Sequence, residues 1–184
     1  MVRGLSQRLG LIVGIFLSSV LLTLPIQQAY AVEWETYEDE DLGFSIDYPA
    51  KWEEGDAADF EEEIEGVIFM CPKFVSSDGE EGCCALVGKE YIEEGETIEE
   101  HVEGDVAEAD GDIDEDWWDE ISGVEAYYTI VTFPSDRTSI MVHCWVPGEE
   151  EEAVWMVECE TDTKKFDSKR KFYFDPMIDS FEIL

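Results

Sequence analysis

Asparagine is absent from the 184-residue chain, glutamine occurs only at Gln7, Gln27 and Gln28, and 11 lysine plus arginine residues face 47 aspartate plus glutamate, a formal net charge of −36. So few cations exclude nucleic-acid binding through a basic patch, because little is there to neutralise phosphates. An anionic membrane surface would repel the chain for the same reason. Histidine is limited to His101 and His143, and no Cys-x-x-Cys pair occurs, so the ligand supply argues against a structural zinc site. His143, in an apolar run beside Met141 and Trp145, reads as a half-buried packing residue. No Gly-x-Ser-x-Gly elbow, His-Glu-x-x-His helix or phosphate-cradling glycine-rich loop is present. Ser168-Lys169-Arg170-Lys171 has the form Ser-x-x-Lys but lacks the companion motifs, and a lysine cluster produces that match unaided. With 47 carboxylates some pair must fall at glycosidase separation, which carries no information. Together these absences predict a protein that is not an enzyme.

Long hydrophobic runs are also scarce, and the one that exists lies near the start. Arg3 and Arg8 precede the apolar stretch Leu9 to Leu24, which is followed by Pro25 and by Ala29-Tyr30-Ala31. A charged region, a hydrophobic region and a small-residue cleavage pattern predict a signal peptide over residues 1–31, cut between Ala31 and Val32. The alternative is a retained N-terminal membrane anchor, but the stretch falls short of the roughly 20 residues needed to span a bilayer. A secreted or otherwise extracytoplasmic location is therefore expected. Cleavage removes two arginines and no acid, leaving 153 residues with 9 basic and 47 acidic side chains, net −38. Such a polyanion repels itself in dilute buffer. At about 1 M ionic strength the Debye length is roughly 3 Å and that repulsion is screened. The composition reads as halophilic adaptation to a saline exterior. At 45% hydrophobic and 12% aromatic the chain is too rich in core-forming residues for a disordered acidic tail. Residues 32–184 have the size of a single domain.

Alternation of apolar and polar residues places a strand at Phe44 to Tyr48, and short runs rich in β-branched, aromatic or small apolar residues place others at Val67 to Cys71, Cys84 to Tyr91, Val124 to Phe133, Ile140 to Val146 and Ala153 to Cys159. Several of these are apolar on both alternating faces, which implies a sheet covered on both sides. Thr97-Ile98-Glu99-Glu100 has the form of a capping box, and Ile98, Val102, Val106 and Ala109 then follow at helical spacing. A second helix is expected within residues 167–180, with Pro176 at a first helical position. The acidic clusters Glu61 to Glu63, Asp110 to Asp116 and Glu149 to Glu152 fall between apolar segments and read as solvated loops. Strand pair, hairpin, helix, three-strand meander and helix make an α+β fold with an antiparallel sheet between helical layers.

All five cysteines, Cys71, Cys83, Cys84, Cys144 and Cys159, lie beyond the leader, where an oxidising compartment permits disulfides. If Ile140 to Val146 and Ala153 to Cys159 form a hairpin, Cys144 and Cys159 can face each other, and closing a loop of about 15 residues contributes roughly 3 kcal/mol in the chain-entropy model. By the same logic Cys71 meets Cys83 or Cys84, leaving one thiol over.

The segment from Tyr37 to Trp52, YEDEDLGFSIDYPAKW, resembles the opening of the PsbP family, with Gly-Phe-Ser-Ile followed by Tyr-Pro-x-x-Trp. The likeness extends to the mid-chain helix, to Ser122-Gly123-Val124-Glu125-Ala126 at the start of a long strand, and to Asp179-Ser180-Phe181-Glu182-Ile183 near the end. It implies a PsbP-like α/β/α sandwich with a central antiparallel sheet flanked by helices, spanning 32–184. Photosynthetic members of that family are extrinsic subunits of the oxygen-evolving complex associated with calcium and chloride retention, and other relatives are mostly exported. The resemblance thus implies a non-catalytic accessory module docking on an extracytoplasmic or membrane-associated protein, with any membrane association made through that partner. The alternative is an acidic cell-surface structural or cation-binding protein. Calcium is the cofactor to weigh: Asp110, Asp112, Asp114 and Asp116 alternate like the early ligands of a calcium loop, but Glu115 replaces the turn glycine and Ile121 the final glutamate. An EF-hand is excluded, and a weak cation cluster is the residual expectation.

Overall fold

The computed structural model describes residues 32–59, 64–72, 82–148 and 153–184. Residues 1–31, where a signal peptide is expected, and the acidic runs 61–63 and 149–152 lie outside them; Val32 is the first residue described. In chain order the elements are β1 (Trp34–Asp39), β2 (Phe44–Pro49), β3 (Glu53–Asp56), β4 (Glu65–Met70), β5 (Cys83–Tyr91), α1 (Ile98–Glu108), β6 (Asp112–Ile121), β7 (Val124–Phe133), β8 (Arg137–Trp145), β9 (Ala153–Asp162), α2 (Phe166–Lys169), α3 (Asp175–Asp179) and β10 (Glu182–Ile183). A π-helical turn, Arg170–Phe174, joins α2 to α3. Among the described residues no helix is long and apolar enough to cross a membrane.

The strands form a seven-stranded sheet in the order β3-β4-β5-β9-β8-β7-β6 and a three-stranded sheet in the order β1-β2-β10. Every pairing is antiparallel. Alternation along the large sheet sends residues into two cores. One face contributes Phe69, Val87, Tyr128, Ile140, Val142 and Trp155, which pack with Phe44 and Ile46 of the small sheet and with Phe166, Phe174, Met177 and Phe181 of the C-terminal segment. The opposite face contributes Leu86, Tyr127, Val131, Met141 and Met156, which pack under Ile98, Val102 and Val106 of α1. The α+β class and the antiparallel sheet are as expected. The cover differs: one layer is a small sheet plus a helical segment, because β1, β2 and β10 present Phe44 and Ile46 inward and need the same core.

Helix α1 starts where its sequence says. Thr97 accepts from the Glu100 amide at 3.2 Å while the Glu100 carboxylate accepts from the Thr97 amide at 3.1 Å, so two orphan donors are satisfied reciprocally. The helix ends at Glu108 with Ala109 as its cap, and Asp110, at a φ of 54°, turns the chain away and lets the Gly111 amide reach the Val106 carbonyl at 2.8 Å.

Residues 112–116, expected in a loop, belong to the edge strand β6, so the meander has four strands instead of three. Acidic side chains hid the strand; aromatic pairing makes it. Trp117 lies opposite Tyr128 and stacks on it at 5.2 Å, and Trp118 lies opposite Tyr127 with ring centroids 5.1 Å apart on the other face. Cross-strand aromatic pairs are among the stronger units of sheet stabilisation. At the C-terminal end Pro176 does stand in the first turn of α3, but α3 continues an existing helical run, with Phe174 and Asp175 already right-handed. Proline has no amide hydrogen for the preceding turn, and a π-turn directly upstream absorbs that break.

Candidate functional site

Both histidines, remote from each other in sequence, approach the same carboxylate. Glu90 stands near the end of β5, and β9 separates it from β8, where His143 pairs with Met156. His143 is 1% exposed, and its Nε2 lies 3.3 Å from Glu90 Oε1. His101, one turn into α1, places its own Nε2 3.3 Å from the same oxygen. The i,i+4 neighbour Asp105 brings Oδ2 to 3.3 Å from His101 Nε2, and Glu96, ahead of the helix, faces the other ring nitrogen, Nδ1, at 3.7 Å. The helix stripe that buries Ile98, Val102 and Val106 against the sheet sets this geometry, because His101 and Asp105 flank the stripe on the side of Glu90.

Burial by itself would push the Glu90 carboxyl up; the two imidazoles beside it outweigh that and hold it down at about 2. The His101 imidazole is raised above its ordinary value, first by Glu90 and against its own burial, with Asp105 and Glu96 adding to the rise. Asp105 is raised by burial and by the Glu90 charge, against the pull of His101. Glu90 Oε1 and His101 Nε2 are buried, yet neither has an aligned hydrogen bond. Among the described residues, Glu90, His101 and Asp105 are the group of ligating side chains whose donor atoms all lie within 4.8 Å of one another. Sequence reading did not assemble this centre, although the helical spacing of His101 and Asp105 behind a recognisable cap was legible. Glu90 and His143 were not, because a β5-β9-β8 register joins them, and His143 is fully buried instead of half-buried.

The other expected site residues fare differently. Cys144 lies opposite Trp155 and Cys159 opposite Ile140, so the β8–β9 register sets the two thiols four positions apart and they form no bridge. The expected hairpin is present; its register is the reason the pairing fails. Cys71 does meet Cys83: its amide donates to the Cys83 carbonyl at 3.0 Å and its sulfur accepts from the Cys83 amide at 3.2 Å, both residues being thiols. Cys84 lies opposite Met70. Burial pushes the Cys144 thiol up to about 12 and raises Cys84 and Cys159 as well; Cys83 is raised first by its hydrogen bond with Cys71 and then by burial. None of these four has the lowered value of a nucleophilic cysteine.

Asp110, Asp112, Asp114 and Asp116 are not brought around one point. Asp110 turns the chain after α1, and the other three run along β6, where alternate residues stand about 7 Å apart. Asp114, at a bulge, accepts from Thr132 Oγ1 at 2.7 Å, and Asp116 helps to raise the Tyr127 hydroxyl, behind the larger effect of burial. Ser168 donates to the Lys165 carbonyl at 2.8 Å, and Lys171 Nζ lies over the Phe172 ring, so the Ser-x-x-Lys match is part of a helical surface.

No family model and no curated protein matches the chain. Solved structures do. CyanoP, the cyanobacterial PsbP of Synechocystis sp. PCC 6803, superposes with a TM-score of 0.58 at 13% identity, covering 86% of this chain and 96% of that one. LpqN of Mycobacterium tuberculosis, a protein involved in cell envelope biogenesis, gives 0.51 at 10% identity over 83% and 91%. The Ran-binding protein Mog1p of Saccharomyces cerevisiae gives 0.50 at 11% identity over 83% and 96%. At such identities the likeness is one of fold, and the fold is PsbP-like.

Proposed function

We infer from the PsbP-like fold that this chain is an exported, non-catalytic accessory module that docks on an acidic extracytoplasmic or membrane-associated protein. The observation that carries the reading is the superposition on CyanoP over nearly all of that protein's length. The fold likeness to LpqN, a protein involved in cell envelope biogenesis, supports an extracytoplasmic reading. Chemistry on the chain agrees: the shifted thiols are raised, and Ser168 is engaged with its own helix. The docking element is the C-terminal segment. Five of the nine basic residues that follow the leader stand at Lys164, Lys165, Lys169, Arg170 and Lys171, beside Phe172, which is 58% exposed. On a molecule of net −38 this is a local reversal of sign, suited to an acidic partner.

The test is capture by the full chain from its native envelope fraction, read against two variants. Phe172→Ser with Lys171→Glu is expected to lose one specific partner, while Trp118→Ala on β6 retains it. Loss with the β6 variant alone would overturn the docking element. Calcium uptake in proportion to charge, with no partner retained, would overturn the docking function in favour of an acidic cation-buffering shell.

A further inference from the structure

We propose that Glu90, His101 and Asp105 form a binding site for a divalent transition metal of the zinc class, with His143 and Glu96 as the supporting groups that orient the ligands. Three features of the centre lead to this. The first is spacing. Glu90 Oε1 and Asp105 Oδ2 each lie 3.3 Å from His101 Nε2. That is long for a charge-assisted hydrogen bond, which closes to about 2.7–2.9 Å. It is the edge of a tetrahedron whose corners stand about 2.0 Å from its centre, the distance zinc keeps from nitrogen and carboxylate oxygen.

The second is lack of satisfaction. Glu90 Oε1 and His101 Nε2 are buried without an aligned hydrogen bond, and buried polar atoms are ordinarily paired. A metal would engage both. The third is the surrounding shell. Metal-ligating histidines commonly present their second nitrogen to a carboxylate, and ligating carboxylates are themselves held by donors. His101 Nδ1 faces Glu96 Oε2, which the Glu93 amide anchors at 3.2 Å, and the fully buried His143 aims Nε2 at Glu90 Oε1.

Donor chemistry selects the ion. Two carboxylates and one neutral imidazole balance a dication, and a nitrogen donor with only three protein ligands suits zinc better than calcium, which takes six to eight oxygens. The fourth corner is left for water or for a ligand from outside. This inference is independent of the docking segment, which lies on other elements.

Titration of the full chain with Zn²⁺ in excess Ca²⁺ and Mg²⁺ tests it, with Co²⁺ as the spectroscopic substitute. One Zn²⁺ per chain is expected, together with the intense visible absorption of tetrahedral Co²⁺. Asp105→Asn should weaken Zn²⁺ binding by at least about tenfold, and His101→Gln should abolish the Co²⁺ band. Asp112→Asn on β6 should change neither. Glu90→Gln risks the fold because both histidines lean on that carboxylate; Asp105 is half exposed, so its variant keeps the question answerable. Zn²⁺ held at many weak sites that Ca²⁺ displaces, or a single site indifferent to Asp105→Asn and His101→Gln, would overturn the proposal.

Discussion

Glu90 and His101 hold opposite charges at a partly buried spot, and their shifted acidities make stability depend on pH. Glu90 is depressed from 4.5 to about 2, so its contribution is present above pH 4.5 and fades as pH falls towards 2. His101 is raised above 6.5, so its contribution is full below 6.5 and is lost as pH climbs through the raised value. Asp105, raised mainly by burial, works in the opposite sense at low pH. In chelator, the melting temperature should therefore decline above pH 6.5, and His101→Gln should flatten that decline. Thermal scans in closely spaced buffers measure both. The thiols give a second residue-scale expectation. Cys71 and Cys83 face each other while Cys144 and Cys159 do not. Mild oxidation by a disulfide reagent should produce a Cys71–Cys83 bridge and leave Cys144 and Cys159 alkylatable only after denaturation; peptide mapping reads the outcome. From sequence, Cys71 had two candidate partners, and only the register of β4 on β5 separates them.

Among the elements, α1 was the easiest to foresee, because a capping box and a narrow apolar stripe are local signals. Thr97→Ala should cost about 1 kcal/mol in denaturant unfolding. It should also loosen the centre, since the cap sets where His101 begins its turn. β6 was the hardest: its apolar content is low, and its cross-strand partners Tyr127 and Tyr128 lie in the next strand. An acidic edge strand also discourages pairing with other chains, so the feature that hid it from pattern reading serves the fold. Between β4 and β5 the paired glycines Gly66 and Gly88 bring backbones too close for side chains. A Cβ on Gly66 would stand 2.1 Å from the Val87 carbonyl oxygen. Backbone cannot yield as a flexible side chain does, so Gly66→Ala should lose roughly 1–3 kcal/mol, measured by urea unfolding against Gly104→Ala, which meets open space on α1.

At the scale of the whole molecule, charge dominates. A net charge of −36 opposes compaction in dilute buffer. Raising NaCl from about 0.1 M to about 1 M shortens the Debye length from roughly 10 to 3 Å. The melting temperature should rise with it, and an unchanged or lower value would count against a saline habitat. Class, sheet direction and family resemblance were all readable from pattern and composition, whereas the layer under β1, β2 and β10 depended on which inward residues share a core. The large sheet has one further property. Cys83 pairs with Thr161 and Tyr91 with Ala153, so the joint between β5 and β9 closes only after α1 and the strands β6 to β8 have been laid down between them. Such distant closure is slow. Glu90 sits on the early bank of that joint and His101 and Asp105 on the helix that leaves it, so an ion held by the three would rivet β5 to its own crossover and, by binding the folded chain alone, deepen the native well.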